Sequence, residues 1–251
     1  MPRSKPSARA AREHALVAAV IAGELEAVRA ALDAGVSPDA CDADRGTPAV
    51  VYAVARRKKP IVELLMKRGA NLNASGKSGH TALYWAVMHG DAGLFAKLRE
   101  KGAKGRGLLL AATREGRTAM VTTLLEKATK AELAQALVGA AHRERTREAE
   151  LLLAAGAGTS ATDRDGDPVL VTAAFRGAAG VVAAILDARP KVADKERALL
   201  EAAGEGHLDI VKRLARAGAN PAWVSPQGNT ALAVARRKKR AAVVEWLSRA
   251  K

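Results

Sequence analysis

The eight residues Gly79-His80-Thr81-Ala82-Leu83-Tyr84-Trp85-Ala86 recur in register along this chain. They align without gaps with Gly46-Thr47-Pro48-Ala49-Val50-Val51-Tyr52-Ala53, with Gly166-Asp167-Pro168-Val169-Leu170-Val171-Thr172-Ala173 and with Gly228-Asn229-Thr230-Ala231-Leu232-Ala233-Val234-Ala235. Eight and nine residues after the last alanine of each copy comes an apolar pair: Leu94/Phe95, Ile61/Val62, Val181/Val182 and Val243/Val244. A self-similarity of this length is the mark of a repeat architecture.

Working outward in the same register finds four more degenerate copies. The aligned alanine is then Ala19, Ala53, Ala86, Ala112, Ala140, Ala173, Ala202 and Ala235. Three residues before it stands Leu16, Val50, Leu83, Leu109, Leu137, Leu170, Leu199 or Leu232. Four residues after it stands Gly23, Gly90, Gly116, Gly177 or Gly206, with Arg57, Glu144 and Lys239 as exceptions. A fixed small residue inside a helical pattern means that two helices approach closely there, and a glycine after it marks a turn.

The pattern resembles the ankyrin repeat family. Gly-x-Thr-Pro-Leu is carried by residues 79–83, and the second half by Ile61-Val62-Glu63-Leu64-Leu65-Met66-Lys67-Arg68-Gly69-Ala70-Asn71 and by residues 206–214 with Gly218-Ala219-Asn220. The resemblance spans residues 12 to 251 and implies an all-α solenoid of about eight helix-turn-helix repeats joined by short hairpin fingers, some of them truncated. The second helices are expected to end near Gly35, Gly69, Gly102, Ala128, Gly156, Arg189, Gly218 and Lys251. Intervals near 33 leave room for fingers at 36–46, 70–79, 157–166 and 219–228. The shorter ones leave only tight links at 103–107, 129–131 and 190–196. The expected organisation is a basic, unstructured arm over 1–11 followed by a single array over 12–251.

Composition agrees. Apolar residues are 49% and charged residues 27%, which excludes a disordered chain. Aromatics are only 3%, which suits close-packed Ala, Leu and Val helices. One cysteine excludes a disulfide framework. No apolar run reaches the length of a membrane span. Arg3, Lys5, Arg9 and Arg12 before the apolar stretch 15–22 imitate a secretory leader, but that stretch fits the repeat register, and a cytoplasmic location is expected. Alanine- and arginine-rich usage of this kind is what a GC-rich bacterial genome produces.

The net charge is +15 and directs attention to acidic partners. In the family, the concave face is lined by the fingers and by the positions two and three residues after the aligned alanine. By resemblance these are Ile21/Ala22, Ala55/Arg56, Met88/His89, Arg114/Glu115, His142/Arg143, Phe175/Arg176, Gly204/Glu205 and Arg237/Lys238. The second of each pair is basic or His at Arg56, His89, Arg143, Arg176 and Lys238. The candidate partner-binding residues are therefore Arg56, Met88, His89, Arg143, Phe175, Arg176, Trp223, Arg237 and Lys238. The expected function is non-catalytic: binding a partner protein with an acidic surface, as an inhibitor, immunity or scaffold protein. The alternative is binding of nucleic acid or an anionic surface through the net charge. Against it, few aromatics are interleaved with the basic residues, and Trp85 and Phe95 fall at core positions.

Other motifs decline on inspection. Ser75-Gly76-Lys77-Ser78 imitates the tail of a phosphate-binding loop, but the first glycine of that motif would fall on Asn71. His14, His80, His89, His142 and His207 have no metal-ligand spacing, so no metal or cofactor is expected. Asp163, Asp165 and Asp167 alternate like calcium ligands, but Arg164 interrupts them and turn chemistry explains them better. The runs Arg56-Arg57-Lys58-Lys59 and Arg236-Arg237-Lys238-Lys239-Arg240 lie at inter-helix turns, where charge is usually solvated.

Overall fold

A computed structural model describes residues 7–249. Its contacts divide the chain into two compact units, one up to Leu108 and one from Leu109, a boundary that no change in composition marks. The first unit stacks three helix pairs: α1 (Ala8–Ala22) with α2 (Leu25–Asp33), α3 (Ala49–Ala55) with α4 (Lys59–Lys67), and α5 (Ala82–His89) with α6 (Ala92–Glu100). The second holds five: α7 (Leu108–Arg114) and α8 (Thr118–Leu125), α9 (Lys130–His142) and α10 (Thr146–Ala154), α11 (Val169–Arg176) and α12 (Ala179–Asp187), α13 (Val192–Glu205) and α14 (Leu208–Arg216), α15 (Ala231–Arg237) and α16 (Ala241–Arg249). First helices stack on first helices, as α9 on α11 and α11 on α13. Second helices stack on second helices, as α10 on α12 and α12 on α14.

The sequence register explains this stacking. The aligned alanines are 0% exposed in seven copies and 9% at Ala19, which lets first helices such as α3 and α5, or α11 and α13, approach closely. The aliphatic residues three positions earlier are buried from Leu16 to Leu199. Leu232 in the last pair is half-exposed. Each second helix buries a stripe such as Ile61, Val62 and Leu65, or Ile210, Val211 and Leu214. Each such side chain contributes about 2 kcal/mol of burial. Phe95 is buried as expected. At the chain's end Val243 and Leu247 are buried and Trp246 is half-buried.

The fingers depart from expectation in one respect. Isolated bridges close three of them, Cys41 with Pro48, Thr162 with Pro168 and Val224 with Thr230. In two of the copies without a finger, the chain forms helix where a link was expected. The capping box of Thr129 and Glu132 starts α9 at Lys130, and Val192 starts α13. These helices run 13 and 14 residues, against 7 or 8 in α3, α5, α11 and α15. Good helix formers such as Lys130, Ala131, Glu132 and Leu133 extend the helix once no hairpin competes. Likewise α1 begins at Ala8, with Ser7 accepting from the Ala10 amide, inside the stretch read as an arm. Residues 1–6 lie outside the described residues.

The turn four residues after the aligned alanine is left-handed throughout. Where glycine is missing, Arg57, Glu144 and Lys239 still adopt φ of 57°, 56° and 59°. Arg189, which ends a second helix where most other copies have glycine, has φ of 55°. The next pair answers the size of this residue. Beside Gly23, Gly116, Gly177 and Gly206 lie the long or ringed side chains of Lys58, Arg145, His207 and Arg240. The equivalent residues after Arg57 and Glu144 are the short Asp91 and Ala178. In three cases the long side chain meets an end carbonyl of the preceding first helix: Arg145 Nε donates to Arg114 O at 3.1 Å, Arg240 Nε donates to Gly204 O at 2.9 Å, and His207 Nε2 lies 3.3 Å from Phe175 O. These carbonyls would otherwise lack partners.

Candidate functional site

Two aspartates position the fingers. Asp42 accepts from the amides of Arg45 and Thr47 and from the Tyr52 hydroxyl at 3.0 Å. Asp163 accepts from the amides of Asp165 and Asp167 and from Thr172 Oγ1 at 2.9 Å. Tyr52 and Thr172 each immediately precede an aligned alanine, so each finger is tied to its first helix. Burial pushes both carboxyls up, but these donors outweigh it and hold them below the usual carboxylate range. The Asp163–Asp167 stretch thus shows the hydrogen bonding of a turn.

In the first unit the inner face is aromatic. His80 stacks on Tyr84 at 3.9 Å between ring centroids, and Trp85 meets both Tyr84 and His89 edgewise or tilted at 5.9 Å. Trp85 is half-buried here and not the core residue its position suggested. Met88 is half-buried beside it. His89 places Nε2 3.0 Å from Ala55 O, an end carbonyl of α3. It substitutes there for the contact that short Asp91 cannot make. Arg56 is exposed at the C-cap of α3.

In the second unit the inner face is basic and concave. A cavity of about 730 Å³ opens between α7, α9, α11 and the 157–168 finger, with Arg114, His142, Arg143, Arg164 and Arg176 in its wall together with Asp163 and Asp165. Gly139 lets side chains of α7 pack close against α9: a Cβ there would lie 2.5 Å from Leu110 Cδ1 and 3.2 Å from Arg114 Cγ. Arg114, Arg143, Arg164 and Arg176 are exposed, and none has an ion-pair partner among the described residues. The Arg176 guanidinium sits 5.9 Å over the Phe175 ring, which is 45% exposed. Burial, then the charge of Arg176, hold the His142 imidazole below its ordinary range, with Asp163 opposing.

Arg143 and Arg176 therefore come together, joined by Arg114, Arg164 and His142. Arg114 and His142 lie at concave register positions. Arg164 sits on the finger, and no pattern in the sequence marks which way it faces. The other candidates are more committed. Lys238 Nζ lies 2.6 Å from Glu205 Oε1, and Arg240 reaches the same carboxylate at 3.5 Å. Arg237 donates to Asn229 Oδ1 at 3.3 Å. Trp223 is half-buried in the last finger. At this end Lys238 and Arg240 share the single carboxylate of Glu205, and Arg237 is held by a neutral amide.

A model of ankyrin repeats in three copies matches residues 15–106 and 170–251, well over half of the chain. The chain belongs to the ankyrin repeat family. The interval the model skips contains α7 through α10, two pairs that lack a finger. A curated relative, the B-cell lymphoma 3 protein homolog of mouse, is 38% identical over 89 residues, 36% of this chain. That match spans only 20% of the relative's own length. Ankyrin repeats generally mediate protein–protein interaction, and no helix among the described residues is long and apolar enough to cross a membrane.

Proposed function

We propose that this ankyrin array is a non-catalytic cytoplasmic module that binds an acidic surface of a partner protein, inhibiting, protecting or scaffolding it by occupying that surface. The observation that supports this most is the cavity of the second unit, where four arginines stand without ion-pair partners among the described residues. Holding like charges together is unfavourable in the free protein, and an acidic partner relieves it. Phe175, beside Arg176, supplies an exposed apolar anchor, the kind of residue that concentrates binding energy at interfaces.

The test is affinity capture from native lysate, with nuclease present, using wild type and an Arg114→Glu/Arg143→Glu/Arg176→Glu variant checked for helix content. The expected result is one acidic protein retained through nuclease treatment and lost from the variant. A catch that consists of nucleic acid, released by nuclease and by high salt, would refute this reading and make the +15 charge itself the function.

A further inference from the structure

The cavity of the second unit contains one imidazole, that of His142. His142 ends α9, and every charged neighbour that faces it there is identifiable: Arg114 from α7, Arg143 from the cap of its own helix, Arg176 from α11, and Asp163, Arg164 and Asp165 from the finger. Four arginines against two aspartates leave two positive charges uncompensated while the imidazole is neutral. Asp163 is already engaged by two finger amides and the Thr172 hydroxyl. A proton on His142 is therefore opposed by the guanidiniums and by partial burial. An incoming acidic segment cancels that opposition, because its carboxylates compensate the arginines and accept from both ring nitrogens once these are protonated.

We propose that this cavity is the subsite that receives an acidic peptide segment of the partner, and that His142 takes up one proton from solvent as the segment enters. Binding and protonation then strengthen each other reciprocally. The inference rests on the acidic-partner reading and adds where the acid is held and how pH controls it. A peptide of aspartate and glutamate is the fitting occupant, because its carboxylates stay ionised from about pH 6 to 8 and any pH dependence belongs to the protein.

The probe is a fluorescein-labelled peptide of alternating Glu and Asp, titrated into the full chain at pH 6 and pH 8 at constant ionic strength. Calorimetry in two buffers of different ionisation heat counts the protons. Affinity should be about 5-fold tighter at pH 6, with net proton uptake. His142→Gln should bind as wild type does at pH 8 and lose both the pH dependence and the uptake. Arg143→Ala with Arg176→Ala should weaken binding at both pH values without loss of helix. Uptake that persists in His142→Gln, or binding indifferent to the two arginines, overturns the proposal and leaves the acidic-partner reading standing. Full competition by inorganic phosphate at equal charge concentration overturns it in favour of a free oxyanion. Failure of any acidic peptide to bind at low salt removes both readings.

Discussion

Four non-glycine residues in the left-handed region allow a quantitative test of how the repeat turns are built. Arg57, Glu144, Arg189 and Lys239 have φ between 55° and 59°. An L-residue in this region costs about 1–2 kcal/mol. Glycine removes that cost, but its freer unfolded chain takes back about 0.4–1 kcal/mol. The net gain is about 0.5–1 kcal/mol per site. The turn hydrogen bonds stay, since they are made by the backbone: Arg57 N–H to Val54 O and Lys239 N–H to Arg236 O, both 3.0 Å. Arg57 is exposed, so the loss of its attraction to Asp91 is screened and small. The four sites lie in different helix pairs, and their effects should add to roughly 2–4 kcal/mol. With a urea slope of about 3 kcal/mol per molar, the unfolding midpoint of the quadruple glycine variant rises by about 1 M. Far-UV circular dichroism follows the whole chain. The control is the quadruple alanine variant, which deletes the same side chains but stays left-handed. Equal midpoints for the glycine and alanine variants would refute the argument from backbone strain.

Other substitutions probe the remaining contacts. Gly177→Ala places a Cβ 2.7 Å from the His207 ring and displaces it from Phe175 O, whereas Gly218→Ala enters open space with a similar positive φ. Gly177→Ala should therefore destabilise by about 1 kcal/mol more in urea titration. Asp163 has a lowered carboxyl pKa in the folded state, so its contribution is present above the ordinary carboxylate range and is lost as pH falls through the lowered value. Asp163→Ala should cost about 1–3 kcal/mol at neutral pH and weaken the acid-side loss of stability, measured as midpoint against pH. Glu148 is 4% exposed at a position that is aliphatic in most copies, and Thr118 Oγ1 donates to it at 2.5 Å. Glu148→Ala should cost about 1–3 kcal/mol by calorimetry or urea, and Glu148→Gln, which keeps an acceptor, clearly less.

The helix pairs, their register and their buried faces were legible in the residues alone. These follow from local requirements: an alanine wherever two helices nearly touch, an aliphatic residue one turn before it, and a turn after it. The register also marked Arg143 and Arg176 as sharing one face. Which concave residues stand available depends instead on contacts between distant helix pairs. His89 is engaged by Ala55 O and Lys238 by Glu205, each some 33 residues distant. Whether the partner atom is within reach depends on the rotamers of both pairs and on the size of the turn residue between them. The same holds for Trp85, whose ring joins His80, Tyr84 and His89 instead of the core. The left-handed turns at Arg57, Glu144, Arg189 and Lys239 show the physical reason most plainly. Packing of whole helix pairs dictates the backbone angle there, and the local residue accepts it against its own preference.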